Sequence, residues 1–161
     1  MRIITGAFLL SVVACLPRLS VGAQSGGMAD CPGSQREVDA CVQRQGETAD
    51  HLLNQIYGIV MKELSAGPDS DNPTDLLING EIQRTLIESE RQWVKFRDAQ
   101  CALEMALTGT GTAAPAIGGQ CILTLTQERI HLLRGIAQQI RVDSKLCRAN
   151  KANCVLPADP P

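Results

Sequence analysis

Three stretches of the chain carry apolar residues at steps of three and four, and turn-forming sequence separates them. Ala49, Leu53, Ile56, Val60 and Leu64 make the first stripe, the spacing of one helix face. Ser34 stands ahead of it with Glu37 three residues on, the pattern of a capping box. A helix is therefore expected from Ser34, with Gly46 as a kink or break. Gly67 to Pro73 is dense in Gly, Pro, Asp and Asn and predicts a loop. A second helix is expected from Thr74 or Asp75. Its stripe reads Ile82, Leu86, Ser89, Trp93, Phe96 and Gln100, with Glu81/Arg84, Arg84/Glu88 and Glu88/Arg91 as opposite-charge pairs on the solvated side. Thr108 to Gln120 is rich in Gly, Thr and Ala and predicts a long flexible connection. A third helix follows over about 122–146, with Ile122, Thr126, Ile130, Leu133, Ala137 and Ile140 on one face. The pattern predicts an all-α fold, a small antiparallel bundle of three or four helices.

The ends of the chain change the picture. Met1-Arg2, an apolar run to Ala14 and a polar region closing on Val21-Gly22-Ala23 have the layout of a secretory signal peptide over 1–23. Pro17-Arg18 interrupts the apolar run before the ~20 residues a membrane span needs. Val12-Val13-Ala14-Cys15 also fits a lipobox, which would anchor the protein in the envelope by a lipid on Cys15. The expected location is thus periplasmic or secreted, with membrane attachment only through Cys15. Residues 24–33 read as a flexible lead-in, 34–146 as the helical domain, and 147–161, ending Pro-Ala-Asp-Pro-Pro, as an irregular tail.

Removing Cys15 from the seven cysteines leaves Cys31, Cys41, Cys101, Cys121, Cys147 and Cys154. An even set in an exported chain predicts disulfides. Joining Cys101 to Cys121 would close the Gly-rich connection and pin two helix ends. Cys31 with Cys41, and Cys147 with Cys154, are the local pairings. A zinc site is disfavoured, because no C-x-x-C occurs and His51 and His131 lie far apart. The segment after residue 23 holds 13 basic against 17 acidic residues. It has no basic patch with interleaved aromatics, so a nucleic-acid surface is not expected. Mild acidity favours a basic partner through steering.

Catalytic patterns find no support. His51 and His131 lack a neighbouring nucleophile or orienting acid. Glu88 and Glu90 diverge on a helix, and Gly109-Thr110-Gly111-Thr112 lacks the Lys of a phosphate cradle. The protein is read as a non-enzyme without cofactors. Trp93 and Phe96 are expected as core anchors. Arg97 and Arg129 border the stripes and need acceptors, so they are expected to bond carbonyls or carboxylates and to stack on Trp93. Asp98 points off the stripe, toward another helix, a loop amide or solvent.

These residues resemble a known family, the exported bacterial LprI-like domain named after a lysozyme-inhibitor lipoprotein. The resemblance lies in Leu53-Asn54-x-x-Tyr57 with Leu64, and in Gln92-Trp93-x-x-Phe96-Arg97-Asp98-x-x-Cys101. It continues in Cys121 with Leu123-Thr124-x-Thr126-x-x-Arg129-x-x-x-Leu133, and Cys31 and Cys41 look like the family's N-terminal cysteines. The match spans about Cys31 to Ile140. This chain departs in its loop glycines, in Ser89-Glu90-Arg91, and in the added Cys147 and Cys154. The resemblance implies an all-helical envelope protein and a lysozyme-type glycosidase as partner. Inhibition would work by steric and electrostatic occlusion, through Asp69 and Asp71 or through the segment holding Thr110 and Gly111. The alternative is an envelope structural or interaction protein with no inhibitory activity.

Overall fold

A computed structural model describes residues 27–67, 72–142, 149, 150, 152 and 155–158. The signal-like segment with Cys15, the acids Asp69 and Asp71, and the pair Cys147 and Cys154 lie outside the described residues. A short 3-10 turn, Met28–Asp30, leads into three long helices: α1, Gln35–Ala66; α2, Pro73–Leu107; and α3, Ala114–Val142. They run antiparallel in succession, as the all-α bundle reading expects, and no strand occurs among the described residues.

Local chemistry explains where each helix starts. Ser34 and Glu37 form the capping box; the Ser34 N–H and Oγ both donate to Glu37 Oε2, at 2.6 and 2.8 Å. These bonds favour the charged carboxylate, so the Glu37 pKa lies below its ordinary value. α2 begins a residue before the expected start, with Pro73 in its first turn and Asn72 Oδ1 accepting from the Thr74 N–H at 3.0 Å. Gly46 does not break α1, which runs through it for 32 residues. A lone helical Gly costs only ~1 kcal/mol, and buried residues on either side outweigh that. Past α1, Gly67 takes φ 79° and its N–H donates to the Leu64 carbonyl, a helix end that suits Gly.

The core lies between α1 and α3. Ile56, Val60, Leu133 and Ala137 are fully buried, with Leu53, Leu64, Leu123 and Ile130 beside them. The lead-in is not free from Met28 onward: its N–H donates to Gln120 Oε1 at 2.6 Å, and Cys31 is bonded to Cys41. Cys101 and Cys121 are also joined, with Cα atoms 5.5 Å apart. The described part of the tail returns to the bundle. Leu156 packs against the core, and Arg134 donates to the Pro157 carbonyl at 2.7 Å.

Two expectations are corrected. The connection before the third helix is a six-residue turn, 108–113, and the segment from Ala114 to Gln120 is helical. Gly118 and Gly119 therefore serve close packing instead of loop flexibility. A Cβ on Gly118 would collide with the Met105 side chain, and one on Gly119 would sit 2.9 Å from Val42 Cγ1. Small residues here let α3 approach both other helices beside the Cys101–Cys121 bond.

The second correction concerns the inward face of α2. Phe96 is 57% exposed and Ile82 40%, so neither anchors the core. Only Leu86 and Cys101 are buried on this helix, while Trp93 is half-buried against the core. The row turned inward is Leu86, Glu90, Trp93, Arg97 and Cys101, stepping by four, three, four and four. Its polar members are tolerated because each has a partner, as described below.

Two outcomes are expected. Gly119→Ala should cost about 1–3 kcal/mol in urea unfolding, because the buried Val42 must give way. Gly135→Ala on the same helix, where a Cβ meets nothing within 4 Å, should instead stabilise by about 0.5–1 kcal/mol. Glu37, depressed in the folded state, contributes stability that is present above the unfolded pKa and lost as pH falls through the folded one. Glu37→Gln should therefore flatten the acid limb of a stability–pH curve below about pH 4.3.

Candidate binding surface

A charged seam joins α2 to both other helices. Arg97, its side chain 13% exposed, donates from one terminal nitrogen to Asp50 Oδ1 of α1 at 2.8 Å and to Thr126 Oγ1 of α3 at 3.3 Å. Its Nε donates to Asp98 Oδ1 at 3.1 Å, which settles Asp98 as a partner of its own neighbour. Arg129 of α3, 12% exposed, donates through Nε to Glu90 Oε1 at 3.0 Å and through a terminal nitrogen to Ser89 Oγ at 2.7 Å. The Trp93 ring lies between these networks, its centroid 5.1 Å from Arg97 Cζ and 5.8 Å from Arg129 Cζ. Arg97 and Arg129 thus find the carboxylates and the indole that their position demands. Thr126 is wholly buried, with its hydroxyl satisfied by Arg97.

Magnitudes separate the two ion pairs. Both members of Arg129–Glu90 are 15% exposed or less, so losing one partner strands a desolvated charge. Asp50 and Asp98 keep 43% and 58% exposure, so water screens much of their attraction. Two carboxylates on one guanidinium leave that side of the seam with a net negative charge.

The carboxylates of the seam accept from guanidinium groups, and the Ser89 and Thr126 hydroxyls accept from the same guanidiniums. No group of three His, Cys, Asp or Glu able to hold a metal occurs among the described residues. His51 and His131 are exposed on helix surfaces; His51 Nε2 lies 3.1 Å from Gln55 Nε2.

Of the two candidate loop sites, only the turn with Thr110 and Gly111 lies among the described residues. Thr110 and Gly111 are exposed in the turn beyond the Cys101–Cys121 bond. Gly67 closes α1 and Asn72 opens α2 at the far end. Near that end a groove of about 640 Å³ is lined by Leu86, Ile136 and Ile140, by the buried Glu63 of α1, and by Ile82 and Glu81 of α2. The Asn79 amide still ties α2 to α1 there by donating to the Leu64 carbonyl, and Gln83 donates to Ser65 Oγ at 3.0 Å.

Sequence reasoning missed Asp50, the α1 acceptor, and dismissed Glu90. A signal existed for Glu90: it shares a helical row with Leu86, Trp93, Arg97 and Cys101. Asp50 offered only its place beside Ala49 on the buried face.

The seam yields a contrast. Glu90→Ala should destabilise by about 3 kcal/mol, leaving Arg129 enclosed without its acceptor. Glu90→Met with Arg129→Met should recover much of that loss. Glu88→Ala, which removes only the exposed 3.9 Å pair with Arg91, should change unfolding by less than about 0.5 kcal/mol.

An uncharacterized protein of Rhizobium meliloti (strain 1021) is 26% identical over 105 residues, covering 65% of this chain and 75% of the relative. No solved structure matches the chain. The family profile described as lysozyme inhibitor LprI matches residues 28–133, a span holding both described disulfides and every residue of the charged seam. The chain belongs to the LprI lysozyme-inhibitor family.

Proposed function

We propose that the mature protein is an exported binding module that inhibits a lysozyme-type glycosidase by occluding its cleft. Membership of the LprI family carries this reading. Two disulfides support a life outside the reducing cytoplasm, and no described helix is long and apolar enough to cross a membrane. The excess of acidic over basic residues suits a basic enzyme, chiefly by raising the rate of encounter. Between the two loop sites, the α1–α2 connection is favoured, because Asp69 and Asp71 lie in it while 108–113 contains no charged residue.

The test uses oxidised mature protein titrated into a basic animal-type lysozyme digesting cell walls. Lysis should fall with a micromolar or tighter midpoint that weakens as salt is raised. Asp69→Asn with Asp71→Asn should weaken it several-fold without changing the melting temperature. Full lysis at high micromolar protein, with no complex on a sizing column, would instead favour an envelope interaction protein that does not inhibit.

A further inference from the structure

α2 is docked along one side only. Nine of the twelve large apolar side chains exposed among the described residues lie on it. A row from Ile78 to Ala106, stepping by four and three, is exposed at every step. It is turned about a third of a turn away from the row of Trp93 and Arg97, so the seam leaves it open. Its large members are Ile78, Ile82, Phe96 and Leu103, 53%, 40%, 57% and 53% exposed. These steps are those of a heptad repeat, by which two helices pack side by side. Four heptads at about 1.5 Å per residue give about 42 Å of such a face.

The order of residues along the row selects its occupant. Gln92 stands at the midpoint, and the two halves are complementary when one is reversed. Against a second copy running antiparallel about Gln92, Ile82 meets the partner's Leu103, Phe96 meets the partner's Ser89, and Ile78 meets the partner's Ala106. Apolar then faces apolar once, and large faces small twice. The flank agrees in charge. Glu88 and Lys95 each precede a row position, and the antiparallel pairing sets each against the other's counterpart, twice over. Lys95 has no hydrogen bond or ion pair among the described residues. Glu88 accepts from Gln92 and lies 3.9 Å from Arg91, an exposed pair that water screens. Glu81, the other acid of this flank, would face the partner's Ala102, so no like charges meet. A parallel pairing would stack Phe96 on the partner's Phe96 and leave Lys95 only the partner's Gln100.

We propose that this row is a homodimer interface: two copies of the chain pair antiparallel through α2, about a two-fold axis at Gln92, with reciprocal Glu88–Lys95 pairs. Such a contact uses the same patch on both copies and closes on itself. The Gln92 amides on the axis fix the register, as polar residues in a heptad row do at some cost in affinity. The inference does not depend on the identity of any lysozyme partner.

Sedimentation of the oxidised mature protein alone reads this directly. A monomer–dimer equilibrium is expected, with Kd of about 1–100 µM. Phe96→Glu should raise Kd by about tenfold or more, with helicity unchanged. Lys95→Glu should raise it about fivefold, and adding Glu88→Lys should return it to within about threefold, because the reversed charges again face each other. Cross-linking locates the axis. Gln92→Cys should give a disulfide-linked dimer under mild oxidation; Ala106→Cys, about 42 Å from its counterpart in the antiparallel pair, should not. Lys95→Glu and Gln92→Cys, both at exposed positions, carry the test if Phe96→Glu fails to fold. A monomer at several hundred micromolar would overturn the proposal. So would a dimer that survives both Phe96→Glu and Lys95→Glu, or Ala106→Cys cross-linking as readily as Gln92→Cys.

Discussion

The fold depends on how a long helix with almost no buried apolar surface is kept in place. α2 runs for 35 residues yet buries only Leu86 and Cys101, far too little hydrophobic area to dock a helix by burial alone. A covalent bond fixes one end, and the enclosed Arg129–Glu90 pair with the Arg97 cluster fixes the middle. Side-chain amides on the α1 terminus hold the other end. Arg97 of α2 reaches both α1 and α3, and Arg129 of α3 reaches back to α2, so the seam selects both the register and the rotation of α2. An apolar interface would tolerate sliding by a residue or two. A set of directional bonds with desolvated charges does not.

This explains what could be read from the sequence. The α1 stripe and the α3 stripe were legible because α1 and α3 pack as apolar faces, where burial and periodicity coincide. Parity called for disulfides; the closing of two helix ends pointed to Cys101–Cys121, and Cys31–Cys41 was the default local pairing. The rotation of α2 was not, because two helical rows compete on it. Ser89 and Phe96 lie on one, Glu90 and Arg97 on the other, with Trp93 between them. Hydrophobicity ranks the first row higher, yet the second is inward because its charges find partners on elements distant in sequence. The same blindness turned Gly118 and Gly119 into loop residues. Glycine signals flexibility locally, but here it signals a close approach set by Met105 and Val42.

The motif shared with the LprI family is consequently a packing code. Trp93, Arg97, Thr126 and Arg129 contact one another or share a ring face, and Cys101 and Cys121 close the same end of the assembly. Family resemblance built on such residues certifies the scaffold, and activity must be sought on surfaces the motif does not touch. Exposed side chains such as Ile82, Phe96 and Leu103 lie outside those contacts.

The placement of the Cys101–Cys121 bond has a further effect on resistance to proteolysis. The turn 108–113 is fully exposed, carries Gly109 and Gly111, and joins two long helices, the kind of site where proteases cut first. The bond spans that turn, with 20 residues separating its cysteines. A cut there opens the backbone but does not release α3, since both fragments stay covalently joined beside the packed glycines. The peptide bonds of this exposed turn are thereby ones whose loss the architecture can withstand.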